Sequence, residues 1–135
     1  MDRYCDFMIV TFKNENMKLF TPEEIIKRYI ECCIKMETAT LDGDYKTNNY
    51  EGKKLNKIYN QILSQPNLAQ LTLPTLLYYD NIIVRTYAAA HCIELQMLVK
   101  ESKKVLKKIA KDKNNGILGF NAEMTLQVYK EEGKL

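Results

Sequence analysis

The strongest constraint on the fold is a pair of amphipathic helical patterns that lie back to back between Asp80 and Gly116. In the first pattern, apolar or small residues recur at the three- and four-residue spacing that places them on one helix face. They are Val84, Ala88, His91, Cys92 and Leu95. The corresponding residues of the second pattern are Leu98, Ser102, Val105, Leu106 and Ile109. We expect Asp80 to cap the first helix and Asn115-Gly116 to end the second.

Capping and periodicity signals predict four further helices. Thr21-Pro22-Glu23-Glu24 forms a capping box with proline at the first helical position, so a helix is expected from there to about Ala39. A second helix is expected from about Asp44 or Tyr50 to Ser64. A short helix opens at Thr72-Leu73-Pro74-Thr75, and a last helix covers about Asn121 to Glu131. Six helices with short connections and no convincing sheet predict an all-α protein.

The N-terminal segment, residues 1–16, is expected to lie outside the helical domain. Within it, Phe7 to Phe12 is rich in β-prone residues, and either a short strand or a first helical turn is consistent with the pattern. Met17 is an alternative start of the protein, which would leave residues 1–16 upstream of it. We therefore divide the chain into an extension, 1–16, and a helical-repeat domain, 17–135.

Charge and cysteine usage indicate an ordinary globular chain. The formal charge is only +3 and the acidic and basic residues are interspersed, which favours solubility and is not the footprint of a nucleic-acid-binding protein. The cysteines, Cys5, Cys32, Cys33 and Cys92, form no CxxC pair, so we interpret them as reduced structural thiols. Without a secretory signal or a run of about 18 apolar residues, a cytoplasmic protein that does not enter the membrane is expected.

Two segments carry a resemblance to a known family. Asp80-Asn-Ile-Ile-Val-Arg-Thr-Tyr-Ala-Ala resembles the inner half of a HEAT repeat, and Gly119 to Leu135 looks like the closing signature of a family of small bacterial proteins. That family is known as a domain of unknown function with a HEAT- or armadillo-like fold. The resemblance implies a short right-handed α-α superhelix, and it implies no activity and no catalytic residue. By analogy with HEAT repeats, Arg85 is expected to bond an acidic side chain or a carbonyl at the neighbouring turn.

The side chains suited to catalysis do not form a recognisable motif. His91, the only histidine, lies on the apolar face of its helix, which favours a structural imidazole in the core. Its neighbour Cys92 points about 100° away, so the two cannot form a dyad unaided. We therefore predict no catalytic, cofactor-binding or metal-binding residue and no enzyme. An enzyme that uses His91 or a pair of carboxylates from distant positions stays as a third hypothesis.

Lysines and tyrosines are the surface features that suggest a partner. Lys103, Lys104, Lys107, Lys108 and Lys111 fall outside the apolar face of their helix, and Tyr78 and Tyr87 belong to an excess of tyrosines that cannot all be core. The first hypothesis is a non-enzymatic protein-binding module, of which an immunity or regulatory protein for a neighbouring gene product is one version. The alternative is a nucleic-acid-binding repeat protein that uses the lysine-rich helix 100–113.

Overall fold

A computed structural model describes residues 19–131, with the side chain of Glu131 left out, and these residues are all-helical as predicted. They form six α-helices and one 3-10 turn, without a β-strand in this part of the chain. The helices are α1 (Pro22–Asp42), α2 (Tyr45–Ser64), α3 (Leu68–Leu77), α4 (Ile82–Glu94), α5 (Val99–Lys111) and α6 (Ile117–Glu131), with the 3-10 turn η1 (Lys113–Asn115) before α6. The N-terminal extension, the Phe7 to Phe12 strand or turn, Cys5 and Met17 lie outside the described residues.

Helix α1 begins and ends as local sequence dictates. The Thr21 hydroxyl accepts the backbone N–H of Glu24, and the Glu24 carboxylate accepts the backbone N–H of Thr21, which completes the predicted capping box. At the other end, Gly43 adopts a left-handed conformation with φ of 72°, which costs glycine little because it has no Cβ. Asp44 then caps α2 by accepting the backbone N–H of Thr47.

Several predicted helix boundaries are wrong. Helix α3 begins at Leu68 and contains Pro74 instead of opening beside it, and α6 begins at Ile117 instead of Asn121. The cap of α4 is Asn81 and not Asp80: the Asn81 side-chain oxygen accepts the N–H of Val84 at 3.0 Å, while Asp80 is exposed. Aspartate and asparagine are both good N-cap residues. Asn81 is the cap here because its side-chain amide also donates a hydrogen bond to Glu37 on α1, at 2.9 Å.

The connection between α4 and α5 also departs from the prediction. Leu95 and Leu98, expected on buried helix faces, lie in this connection and are only half-buried. Gln96 and Leu98 have positive φ angles of 56° and 48°, a backbone conformation that costs an ordinary residue about 1 kcal/mol or more. The lysine-rich helix α5 ends at Lys111, and the predicted stop at Asn115-Gly116 instead ends the separate turn η1.

Helix α4 is the central element of the fold. It packs against α1 and α3 on one side and against α5 and α6 on the other, while α2 packs mainly on α1. Ala88 and Ala89 are completely buried, so small side chains let the neighbouring helices approach α4 closely. Gly119 serves the same purpose between α5 and α6, since a Cβ there would lie 3.1 Å from the Ile109 carbonyl oxygen.

Cysteines and tyrosines fill much of the core. Cys32, Cys33 and Cys92 are buried free thiols, as expected for structural cysteines. Burial raises the pKa of Cys33 far above its ordinary value, and burial followed by the negative charge of Glu51 raises the pKa of Cys32 to about 11. Tyr29, Tyr59 and Tyr129 are also buried, which places polar hydroxyl groups inside an otherwise apolar interior.

We predict that Asn81→Ala lowers the free energy of unfolding by about 1 to 2 kcal/mol, because it removes the α4 cap together with the bond to Glu37. The matched change Asp80→Ala, at an exposed side chain one residue earlier, should cost less than about 0.5 kcal/mol. Urea unfolding of both variants measures the difference. A larger loss for Asp80→Ala would restore the sequence-based assignment of the cap.

Candidate functional site

A groove runs along α4 between α6 and the α1–α2 hairpin. It consists of two neighbouring cavities of about 320 Å³ and about 300 Å³. Three residues line both cavities, which makes them parts of one continuous groove: Tyr87 and Ala90 from α4, and Thr125 from α6. The groove exists because Ala90 is too small to fill the space between the helices on either side. We call this feature the α4 groove.

No charged side chain of the described residues lines the larger cavity of the α4 groove. Its wall on one side carries Met36 and Thr40 of α1 with Asn48 of α2, and its wall on the other carries residues of α6 that include Met124. Part of its polar surface is already satisfied, because Asn48 donates to Thr40 at 2.9 Å and Thr86 donates to the Ile82 carbonyl at 2.8 Å. Apolar groups therefore suit this cavity better than ions do.

The smaller cavity borders a buried histidine held by two tyrosines. The Tyr29 hydroxyl and Nδ1 of His91 lie 2.6 Å apart, and the Tyr59 ring stacks on the imidazole with centroids 3.8 Å apart. Burial raises the pKa of Tyr29 well above 10, so its hydroxyl stays protonated. We therefore assign the phenol as the donor and Nδ1 as the acceptor, which places the ring proton on Nε2.

Glu94 connects this histidine cluster to α2 and α6. Its two carboxylate oxygens accept hydrogen bonds from Tyr59 at 3.1 Å and from Tyr129 at 2.9 Å. The Tyr129 hydroxyl also lies 3.1 Å from the Ala90 carbonyl oxygen. Side chains of α1, α2, α4 and α6 thus meet in one polar network, which fixes the helices that form the groove relative to each other.

The histidine of this network is uncharged. Burial lowers the pKa of His91 to about 4, so the imidazole is neutral at neutral pH. Burial, followed by the effect of Cys33, raises the pKa of Tyr87, and this phenol also remains neutral. His91 is on the buried apolar face, as predicted, and it is hydrogen-bonded there. It is not sealed from the surface, because it contributes to the wall of the smaller cavity.

An exposed apolar stripe on α6 borders the α4 groove. Its members are spaced by three or four residues and are between 39% and 59% exposed: Ile117, Phe120, Met124 and Val128. Met124 lines the larger cavity and Val128 lines the smaller one, so the stripe and the groove form a continuous surface. Groups of large apolar side chains at the surface of a monomer are typical of interaction sites.

The predicted partner-binding residues are divided between different surfaces. Tyr87 lines both cavities of the α4 groove, whereas Tyr78 is exposed at the end of α3 and lines neither cavity. The predicted lysines also lie outside the groove. Lys104, Lys107, Lys108 and Lys111 are exposed on α5, and Lys103 is half-buried.

The two remaining structural candidates have local roles. Nε of Arg85 lies 3.4 Å from the Asn81 carbonyl oxygen, so Arg85 contacts a carbonyl of its own helix start instead of a carboxylate. Asp80 does not cap α4, because Asn81 occupies that role. Sequence reasoning missed Glu94 as a site residue. Its spacing from Tyr87 and His91 places the three on one helix face, and this was the available signal.

Metal and thiol chemistry find little support in residues 19–131. No three histidine, cysteine or acidic side chains of this part of the chain lie close enough together to hold a metal ion. Burial raises the pKa of Cys92 to about 11, so this thiol is protonated at neutral pH. The Cys92 thiol lies beside Ser102 of α5.

Comparisons with known proteins give no family for this chain: no family model, no curated protein and no solved structure matches it. The resemblance to HEAT repeats therefore stays a prediction. Within the described residues, no helix has the length and apolar character needed to cross a membrane.

We predict that stability falls as the pH drops from about 6.5 toward 4. The pKa of His91 is about 4 in the folded chain against an ordinary value of 6.5, so protonation favours the unfolded chain. The stabilisation is complete above the unfolded pKa and is lost as the pH falls to the folded one, with a magnitude of about 3 kcal/mol. Urea unfolding across this pH range measures it. His91→Phe should lack this part of the pH dependence, and equal slopes for both proteins would contradict the assignment.

Proposed function

We propose that this protein is a non-enzymatic binding module whose α4 groove and adjacent α6 stripe receive an apolar segment of another protein. The observation that carries the proposal is the continuity between them, since Met124 and Val128 belong to both. A groove supplies pockets for anchoring side chains, and an exposed apolar rim supplies the surrounding contact area. This division is typical of protein interfaces.

The dimensions and chemistry favour an amphipathic helix as the bound segment. From Ile117 to Val128 the stripe extends over about 16 Å, which is close to three turns of a partner helix. The larger cavity lacks charged side chains, so apolar anchors enter it without leaving an ion unpaired. Helix-in-groove recognition uses anchors at a three- to four-residue spacing, which matches the spacing of the stripe.

The chemistry of His91 supports binding in preference to catalysis. Its Nδ1 is hydrogen-bonded to Tyr29, one ring face is covered by Tyr59, and its low pKa makes it a weak base at neutral pH. The neighbouring thiol of Cys92 is directed elsewhere. His91 and Glu94 are thus best explained as the framework that holds the groove open in one shape.

The broader setting of the proposal follows from the sequence. We propose a HEAT-like right-handed superhelix in the cytoplasm, with an immunity or regulatory role toward the product of a neighbouring gene. Contacts of α4 with both α1 and α6 are compatible with side-by-side stacking of successive helices. Recognition of the partner through the α4 groove does not require charge complementarity, so a basic or acidic partner is equally acceptable.

We predict that Val128→Glu weakens partner binding by about tenfold or more, because it places a charge in the apolar α6 stripe where the stripe borders the smaller cavity. The Val128 side chain is 46% exposed and is not part of the core, so the variant should remain folded. Lys107→Glu, an exposed change on α5 away from the groove, is the matched control. Titration of the co-expressed neighbouring gene product by calorimetry measures both. Normal binding by Val128→Glu would contradict the groove as the site.

The second candidate, nucleic-acid binding, is favoured by the lysines of α5. Lys104, Lys107, Lys108 and Lys111 are all exposed, and none forms an ion pair within the described residues. If these four lysines contact phosphates, the logarithm of the association constant should fall against the logarithm of salt concentration with a slope of about −3 to −4. Fluorescence anisotropy with duplex and single-stranded probes measures the slope. A slope near zero would remove this candidate.

A further inference from the structure

A second cavity site lies between α1 and α2, on residues that do not line the α4 groove. It has a volume of about 300 Å³ and is lined by two facing rows of side chains. Helix α1 contributes Arg28, Glu31, Cys32 and Lys35, and helix α2 contributes Glu51, Lys54, Lys57, Ile58 and Gln61, with Phe20 at one end. We call it the α1–α2 slot. Its residues repeat at helical spacing on both helices, so the slot follows from the sequence of the hairpin.

Positive charge dominates the rim of the slot. Four cations, Arg28, Lys35, Lys54 and Lys57, stand against two carboxylates, which gives the slot a formal charge of +2. Arg28 is held in place by the Phe20 ring, with its guanidinium 4.2 Å from the ring centroid. Within the described residues, Lys54 alone of the four forms an ion pair, with Glu51. Arg28, Lys35 and Lys57 form no ion pair with another side chain of residues 19–131.

Glu51 is the unusual residue of the slot. Its side chain is almost fully buried, and Oε1 has no hydrogen-bond partner, although Nζ of Lys54 lies 3.6 Å away. A buried carboxylate oxygen without a hydrogen bond is costly unless a ligand supplies the missing donor. Burial and the Glu51 charge raise the pKa of the adjacent Cys32 thiol to about 11. This thiol is therefore protonated at neutral pH and is a poor nucleophile. The slot therefore has the features of a binding site and not of a nucleophilic centre.

We propose that the α1–α2 slot binds a nucleoside monophosphate. The phosphate carries a charge of about −1.5 to −2 at neutral pH, which matches the excess of cations at Arg28, Lys35 and Lys57. An amino group on the base donates a hydrogen bond to the Glu51 carboxylate, which lines the slot. Phe20 and Ile58 provide apolar surface for the flat base, and the volume suits a ligand of this size.

The proposal predicts that each part of the ligand is recognised by a different residue. Adenosine monophosphate and ribose 5-phosphate differ by the base, so the ratio of their affinities reports the contacts of the base with Glu51, Phe20 and Ile58. The wild-type protein should bind adenosine monophosphate with a Kd below about 1 mM and ribose 5-phosphate about tenfold more weakly. Glu51→Gln should reduce that ratio, since it replaces the charged carboxylate by a neutral amide oxygen, which is a weaker acceptor, while leaving the rim cations in place.

Two lysines of α2 form the matched pair for the phosphate contact. Lys57→Ala should weaken both ligands by about tenfold, because Lys57 lines the slot. Lys53→Ala, an exposed lysine of the same helix outside the slot, should change neither affinity. Calorimetric titration of the full chain at low ionic strength measures all eight affinities, and circular dichroism checks the fold of each variant.

Three results would overturn the proposal. They are a wild-type protein that does not bind adenosine monophosphate at about millimolar concentration, a wild type that binds ribose 5-phosphate equally well, and equal losses for Lys53→Ala and Lys57→Ala. The last result would indicate nonspecific attraction of phosphate to a basic surface. The test is independent of the α4 groove, because the slot and the groove share no lining residue.

Discussion

Close packing around α4 is the constraint on which the rest of the structure depends. Ala88 and Ala89 have no exposed surface, so α1, α3, α5 and α6 can all approach this helix. Larger side chains at these positions would separate the neighbours and expose the core, at a cost of about 1 to 3 kcal/mol for overpacking alone. On the groove side, Ala90 leaves the floor of the α4 groove unfilled. The same run of small residues thus creates both the core and the candidate site.

A polar network then fixes the shape of that site. Tyr29 is hydrogen-bonded to His91, and Glu94 accepts hydrogen bonds from Tyr59 and Tyr129. All of these residues belong to helices that border the α4 groove. Such contacts are directional, whereas apolar packing tolerates small rotations of a helix. Burial lowers the pKa of His91 to about 4, so the imidazole is neutral at neutral pH and needs no ion partner. The network therefore links the helices that border the groove through directional contacts.

Apolar and charged surfaces are separated on this molecule. Uncharged and apolar side chains line most of the α4 groove, while the α5 lysines point away from the core and the α1–α2 slot holds its own group of cations. A partner protein, a nucleic acid and a small phosphate would thus meet three different surfaces. This separation allows substitutions on one surface to be interpreted without disturbing the other two, since none of the residues concerned is shared.

The sequence by itself determined the helical class, the capping box at Thr21 and most of the buried faces, because these depend on residues within one or two turns of each other. It failed where neighbours in sequence offer equal local chemistry, as at Asp80 and Asn81, and a bond to Glu37 on another helix decided the cap. It did not predict that the hydroxyl groups of Tyr59 and Tyr129 would both bond Glu94, because these residues lie on three different helices. Only the tertiary structure decided the groove and the slot, because a cavity is the space between helices that are distant in sequence.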